Sequence, residues 1–283
     1  VAALFGADEL RLFENQGALP LVPTATAVST DGGPLGVDVA DFDGDGRLDV
    51  ILANSTSQTV QVFLGDGALG LTASLAVAVP GAPLAIEVAD FDADGDVDVA
   101  VSIETPSPAI VMLESDGEGG LAVTGSVQLP FTASELVAAN MDIDGNLELV
   151  VNQPGVASRV IGIVDAPSGG TTFVKVDLFE VLLEDQPDFD PTAFIVEDVD
   201  GDQQQDVLVV AASGRPVLLQ NGGALQFEVA ALPGGGTATP AAPAGTRFVR
   251  MGDVDGDGNP ELLLLAPQSP RLWVATGVAP TEL

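Results

Sequence analysis

Asp41-Phe42-Asp43-Gly44-Asp45-Gly46-Arg47-Leu48-Asp49 is the stretch on which the reading of this 283-residue chain turns. It sets side-chain oxygens at relative positions 1, 3, 5 and 9, and a glycine at position 6. The pattern recurs four times: Asp90 to Asp98 (DFDADGDVD), Asn140 to Glu148 (NMDIDGNLE), Asp198 to Asp206 (DVDGDQQQD) and Asp253 to Glu261 (DVDGDGNPE). The rest of the sequence reads as scaffold strung between these loops.

A hard divalent cation such as Ca²⁺ takes about six to eight oxygens at roughly 2.3–2.6 Å, in a flexible geometry. Side chains at positions 1, 3 and 5 of a tight loop can converge on one point. Position 7 needs to offer only its backbone carbonyl, and position 9 returns a carboxylate. The candidate ligands of the first loop are therefore Asp41, Asp43, Asp45, Arg47 (through its carbonyl) and Asp49. In the second they are Asp90, Asp92, Asp94, Asp96 and Asp98, and in the third Asn140, Asp142, Asp144, Asn146 and Glu148. The fourth offers Asp198, Asp200, Asp202, Gln204 and Asp206, and the fifth Asp253, Asp255, Asp257, Asn259 and Glu261. Up to five Ca²⁺ ions are expected. Position 6 calls for a left-handed backbone, which glycine adopts most readily. Gly46, Gly95, Gly145 and Gly258 comply and Gln203 does not, which sets the fourth loop apart. Asn140 is a neutral ligand and predicts weaker binding at the third.

An EF-hand also opens D-x-D-x-D-G, but it needs a bidentate Glu at position 12 and a helix on each side. Position 12 here is Leu52, Val101, Val151, Val209 and Leu264. These lie in short apolar runs rich in valine and leucine, which predict buried strands. A lone acidic loop would read as a solvated turn; five in one context argue against that.

The loops begin at residues 41, 90, 140, 198 and 253, at intervals of 49, 50, 58 and 55. A repeat of this length decides the architecture. Each unit has a strand leading into the loop (from Leu35, Leu84, Leu136, Phe194 and Phe248) and an apolar strand after it. A third strand ends in a Gly-rich turn, as in Val60 to Gly67, and a weaker fourth follows, as in Thr72 to Val79. Four antiparallel strands per roughly 50 residues make a propeller blade. The prediction is an all-β fold, one β-propeller domain over 1–283, with units near 1–34, 35–83, 84–133, 134–192, 193–246 and 247–283. About six blades are visible in part, as in a closed ring or a segment of a six- to eight-bladed one. The first unit shows only its last three strands, and the final unit is expected to lack its fourth. Two insertions account for the long intervals: an acidic run over 177–190 and a Gly/Pro/Ala-rich surface loop over 233–245.

Acids outnumber bases 42 to 8, for a formal net charge of −34 at pH 7. That excludes nucleic acid and anionic membrane surfaces as partners. Twenty of the acids fall in the five loops. No apolar run approaches the roughly 18 residues of a bilayer span, so no membrane insertion is expected. Without cysteine, neither disulfides nor thiolate metal sites hold the chain together. It begins at Val1 with no leader-like segment, as a mature or trimmed chain would. Arg11, Arg247, Arg250 and Arg271 sit in the terminal units and read as ordinary salt-bridge partners.

DFDGDGRLD followed by Val50-Ile-Leu-Ala-Asn54 and Val60-Gln-Val-Phe-Leu-Gly-Asp-Gly67 resembles the FG-GAP and VCBS repeats of integrin-α-type β-propellers. The likeness covers nearly the whole chain, although the Phe-Gly pair that names the family is poorly kept, Phe5-Gly6-Ala7 being the nearest match. The resemblance implies Ca²⁺ in the five loops, an extracellular or cell-surface location, and adhesion, recognition or display of a protein or glycan ligand. Some family members accompany carbohydrate-active domains, so a propeller-scaffold polysaccharide lyase or glycoside hydrolase, or its accessory domain, is the alternative. Composition weighs against an enzyme. There is no His, Cys or Tyr, and Lys175 is the one lysine, so most general bases and nucleophiles are missing. Paired carboxylates could still hydrolyse glycosides, but no pair stands out from the loops. No catalytic residue is assigned.

Overall fold

The computed structural model describes residues 2–4, 7–14, 22–142, 144–152, 161–165, 175–177, 191–199, 202–211, 216–223, 225–230, 248–252, 261–266, 269–276 and 279–282. They form six antiparallel sheets whose strands follow one another in chain order. The first has three strands, β1 (Ala2–Leu4), β2 (Glu9–Glu14) and β3 (Val22–Ser29). The second runs β4 (Pro34–Ala40), β5 (Asp49–Asn54), β6 (Thr59–Gly65) and β7 (Leu71–Ala73), with β8 (Val77–Ala78) also on β6. The third is β9 (Pro83–Ala89), β10 (Asp98–Ile103), β11 (Ala109–Ser115) and β12 (Leu121–Gln128). The fourth is β13 (Leu136–Ala139), β14 (Glu148–Asn152), β15 (Ile161–Asp165) and β16 (Lys175–Asp177). The fifth is β17 (Pro191–Glu197), β18 (Asp206–Ala211), β19 (Pro216–Asn221) and β20 (Phe227–Ala230). The sixth is β21 (Phe248–Gly252), β22 (Glu261–Ala266), β23 (Ser269–Thr276) and β24 (Ala279–Glu282). Successive four-stranded meanders of this kind are propeller blades, and the fold is all-β and propeller-like. Among the described residues no helix is long and apolar enough to cross a membrane.

Two strand predictions need correction. The final sheet does not lack its fourth strand: β24 pairs with β23, Thr276 facing Ala279 and Trp273 facing Glu282. Ala279-Pro-Thr-Glu282 has no apolar alternation, so only the backbone pairing of a tight hairpin makes it a strand. The fourth strand expected over Thr72 to Val79 is broken into β7 and β8, both paired to β6. The break at Ser74–Ala76 leaves Leu75 the most exposed large apolar side chain among the described residues. The acidic run beyond Asp177 and the 233–245 loop lie outside the described residues.

The described chain falls into two compact units, residues 1–138 with 165–176, and residues 139–164 with 177–283. In the first unit every residue of β5 and of β10 is buried. These second strands are apolar without alternation because both faces of their sheet are covered. Val50 and Leu52 of β5 meet Leu10 and Val28 of the first sheet. Ile51 and Ala53, pointing the other way, meet Val99, Val101 and Val111 of the third. Side chains alternate between faces along a strand, so one run of six serves two cores. In the second unit β14 is likewise wholly buried, and Ala193, Ile195, Leu208, Val210 and Leu218 form a further cluster.

Two of the first strands are tied to the next by an acid at one repeat position, three residues before the first and second loops. Asp38 on β4 accepts hydrogen bonds from the backbone N–H groups of Val39 (2.8 Å) and of Val88 on β9. Glu87, the matching residue on β9, accepts from the N–H of Ala138 on β13 at 3.0 Å. Burial raises the Asp38 pKa, and these N–H donors oppose the shift. A hydrogen bond to a charged acceptor contributes about 1.5–3 kcal/mol. Glu87→Ala should therefore lower stability by about 1.5 kcal/mol or more, and Glu87→Gln, which keeps an acceptor, should recover most of it. Urea midpoints of the three proteins check this; equal midpoints would remove Glu87 from the seam.

Candidate metal centre

Each of the first four repeat loops, in its described residues, is a set of nested turns closed by its own carboxylates. In the first loop the N–H of Asp45 donates to Oδ1 of Asp41 and of Asp43, both at 3.2 Å. The N–H of Gly46 donates to Asp41 Oδ2 at 2.8 Å, and that of Arg47 to Asp45 Oδ1 at 2.9 Å. The Arg47 guanidinium pairs with the other Asp45 oxygen. The second loop repeats this with Asp90, Asp92 and Asp94 accepting from Asp94, Gly95 and Asp96. In the third, Asp142 accepts from Asp144, and Asp144 from Asn146. In the fourth, Asp198 accepts from Asp202 and Gln203, and Asp202 from Gln204. In the first two loops these bonds aim the side chains at positions 1, 3 and 5 toward one point.

Three acidic clusters result. Asp41, Asp43 and Asp45 bring carboxylate oxygens within 4.8 Å of one another, as do Asp90, Asp92 and Asp94, and Asp142, Asp144 and Glu148. Asn140 is half-buried at the head of the third loop. Asp200 and Asp253, Asp255, Asp257 and Asn259 lie outside the described residues, and Glu261 opens β22. The Gln203 exception does not break its loop. Gln203 takes φ +74°, matching Gly46 (+82°), Gly95 (+102°) and Gly145 (+98°). A Cβ added at any of those three glycines would meet nothing within 4 Å, so the requirement at position 6 is backbone conformation and not space.

Position 9 has a role that the spacing alone does not reveal. Asp49 is fully buried, and both its oxygens are taken by backbone donors: Oδ2 by Phe42 N–H at 2.8 Å, Oδ1 by Gly65 N–H at 2.7 Å. Asp206 does the same with Val199 (3.0 Å) and Asn221 (2.9 Å). Glu148 Oε2 accepts from Met141 N–H at 2.6 Å, and Asp98 Oδ1 from Ser115 N–H at 3.0 Å. This carboxylate ties the start of its loop, the end of the third strand, or both, to the head of the second strand.

Position 2 was missed altogether as a site residue. Phe42, Phe91 and Met141 are buried, and Val199 packs against the cluster around Leu208. An apolar residue between two oxygen-bearing side chains in every copy was the signal. Its side chain plugs the core beneath the loop, so the loop cannot lift away without opening a cavity.

The donors are all hard oxygens, the set Ca²⁺ prefers. In the second loop the Oδ2 of Asp98 is buried with no hydrogen-bond partner. Burial pushes the Asp98 pKa up to about 6, aided by the charges of Asp92 and Asp94 and opposed by the N–H groups of Ser115 and, within weaker hydrogen-bonding reach, Phe91. Asp92 is raised too, by burial first and then by Asp94 and Asp90. Clustered carboxylates whose charge is disfavoured until a cation arrives fit a calcium cradle.

The architecture defines the protein as a repeat β-propeller. An FG-GAP-like repeat model matches residues 1–52, 41–101 and 198–264, more than half of the chain, and the chain belongs to that family. No curated protein matches it in sequence. A lectin from Agrocybe aegerita, described as specifically recognising non-reducing terminal N-acetylglucosamine, superposes with a TM-score of 0.64 at 16% identity, over 97% of this chain and 80% of the lectin. BBS1N, solved in complex with ARL6DN and soaked with lead, gives 0.58 at 12% identity over 99% and 80%. Its mercury-soaked counterpart gives 0.59 at 11% over 99% and 78%. At these identities the likeness is one of fold.

Two outcomes follow from the loop geometry. Because a side chain in the left-handed region costs about 1–2 kcal/mol, Gln203→Gly should stabilise the protein by about 0.5–1 kcal/mol, after the roughly 0.4–1 kcal/mol due to the greater freedom of glycine in the unfolded chain is subtracted. A urea midpoint that stays put or falls would show that Gln203 is unstrained there. For Asp98, the folded pKa of about 6 lies above the ordinary aspartate value. The native state of the calcium-free protein then holds a proton that the unfolded chain has lost. Stability from this group is full below about pH 4 and declines as pH rises through about 6. Calcium affinity should move the other way, rising over the same interval as the proton leaves. Calorimetric titrations at pH 5 and pH 7, with Asp98→Asn as control, read this directly.

Proposed function

We propose that this chain is a calcium-stabilised, non-catalytic β-propeller that displays a recognition surface outside the cell or at its surface. The observation that carries the reading is the threefold repetition of converging carboxylates at matching loops of the repeat, with the buried, pKa-raised Asp98 beside the second. The residues that would hold the ions are the acids at positions 1, 3 and 5 and Glu148, with Asp98 supplying its second oxygen and Asn140 a neutral donor. Position-7 carbonyls complete the proposed sets in all five loops. A bound Ca²⁺ supplies positive charge that relieves carboxylate repulsion and cross-links one end of each blade. The chain's own residues shape the turns, plug the core and orient the donors.

The extracellular setting belongs to the proposal; Ca²⁺ sites in the 10⁻⁴–10⁻³ M range would be loaded there. A carbohydrate or protein ligand is the partner class in view. The lectin's described specificity makes terminal N-acetylglucosamine a concrete first ligand to try, and the BBS1N complex makes a protein partner the second. A carbohydrate-active enzyme has no observation of its own among the described residues.

The test is a pair of thermal melts, in millimolar Ca²⁺ and in chelator, with ions counted by calorimetry. Ions that bind only the folded state stabilise it by about 2.7 kcal/mol per site at a free concentration of a hundred times Kd. A rise in Tm with up to five ions bound supports the reading. An unchanged melt with no bound ions would reduce the loops to solvated acidic turns, and turnover of a polysaccharide by the pure protein would overturn the non-catalytic part.

A further inference from the structure

The loops do not stand alone: in both places where the relevant residues are described, the third-strand turn of one sheet sits between its own loop and the loop of the sheet before it. In the first unit, Ser115 ends β11 and gives its N–H to Asp98, the ninth residue of the second loop. Its Oγ accepts from the N–H of Gly117, closing the turn. Four residues on, the N–H of Gly119 donates to the carbonyl of Phe42, the second residue of the first loop, at 2.9 Å. A Cβ added to Gly117 would lie 2.5 Å from an Asp96 oxygen, and one on Gly44 would come within 3.9 Å of the Gly117 carbonyl. The turn is thus seated on both loops at once.

In the second unit a single residue makes the connection. Asn221 ends β19 and gives its backbone N–H to Asp206, the ninth residue of the fourth loop. Its side-chain Nδ2 donates to the carbonyl of Met141, the second residue of the third loop, at 2.6 Å, and to that of Gln205 at 3.2 Å. Its Oδ1 accepts from Gly223 N–H, as the Ser115 hydroxyl does from Gly117. Asn221 and Met141 are buried, so these bonds form where water does not compete and where an unpaired partner is costly.

We infer that the third-strand turns couple neighbouring calcium loops, so that an ion in one loop raises the affinity of the next, with Asn221 as the positioning residue between the third and fourth. The inference rests on the calcium reading given above. Filling the third loop fixes the turn that starts at Asn140, and with it the Met141 carbonyl. That carbonyl holds Asn221, and Asn221 holds Asp206 at the close of the fourth loop. A coupling of this kind is reciprocal: each loop raises the other's affinity by the same factor.

Asn221→Ser isolates the path. Serine stands at the matching place in the first unit and closes the same turn through its hydroxyl, but it is too short to reach the Met141 carbonyl. Asp144→Asn weakens the third loop at an exposed ligand. Calcium titration calorimetry on the full chain would compare wild type, Asp144→Asn, Asn221→Ser and the double variant. The expected result is that Asp144→Asn removes one ion and weakens a second about fivefold or more, whereas in the Asn221→Ser background it removes one ion and leaves the others unchanged. Remaining constants unaltered by Asp144→Asn, or weakened equally in both backgrounds, would overturn the coupling while leaving calcium binding in place. A wild-type chain that binds no calcium would instead overturn the reading beneath it, and the coupling with it. Circular dichroism of each variant confirms that the fold is retained.

Discussion

A buried carboxylate at the ninth loop position is the constraint around which each blade is assembled. Asp49 and Asp206 each satisfy two backbone N–H groups, one at the loop's start and one at the end of the third strand. Three segments of one sheet meet there, within 16 residues of the acid on either side. Burying a charge is costly unless it is hydrogen-bonded. The same cost makes the arrangement specific, because an alternative register would leave the charge and two donors unpaired. The loop is therefore already shaped by hydrogen bonds that the protein itself supplies, and a cation meets donors held in place.

Much of this was legible in the sequence because the repeat makes each copy a control for the others. Five loops in one context gave the all-β reading, the strand starts at Leu35, Leu84, Leu136, Phe194 and Phe248, and the buried runs after each loop. What escaped has a physical reason. Aspartate at position 9 looks the same whether it binds a metal or accepts from N–H groups, and only burial separates the two. The plug at position 2 was visible as five apolar residues, four of them between acids and Met141 between Asn140 and Asp142, yet its meaning depends on the core beneath it. Bonds such as Glu87 to Ala138 or Asn221 to Met141 join residues 51 and 80 apart, and sheet-to-sheet placement is not encoded in any local pattern. β24 escaped because backbone pairing made a strand where the side chains gave no sign of one.

Departures from the repeat are informative in the same way. Gln203 occupies a conformation that three glycines share, so the turn is imposed by the loop and not by the residue at its bend. Leu69, Gly119 and Leu225 all carry positive φ at the matching place in the third-strand turn, so that turn too keeps its shape against residue preference. Asp66 and Asp116 explain how. Each accepts two backbone N–H groups across the turn, from Ala68 and Gly70 or from Glu118 and Gly120, and those bonds hold its pKa below the usual carboxylate value.

These two kinds of acid separate the chain's carboxylates by task. Asp66 and Asp116 are exposed, stabilised as anions by N–H groups, and have no need of a cation. Asp92 and Asp98 are raised by burial and by one another's neighbours, and their charge is disfavoured in the folded state until something positive arrives. The protein thus carries acids that shape its turns and acids held in tension beside them, within a few residues along each repeat. Asp98, of the second kind, accepts from Ser115, and the turn that Ser115 opens also reaches the Phe42 carbonyl of the first loop. Neutralising charge in the second loop would therefore act on hydrogen bonds that run from one sheet to the next, and not only on the loop itself.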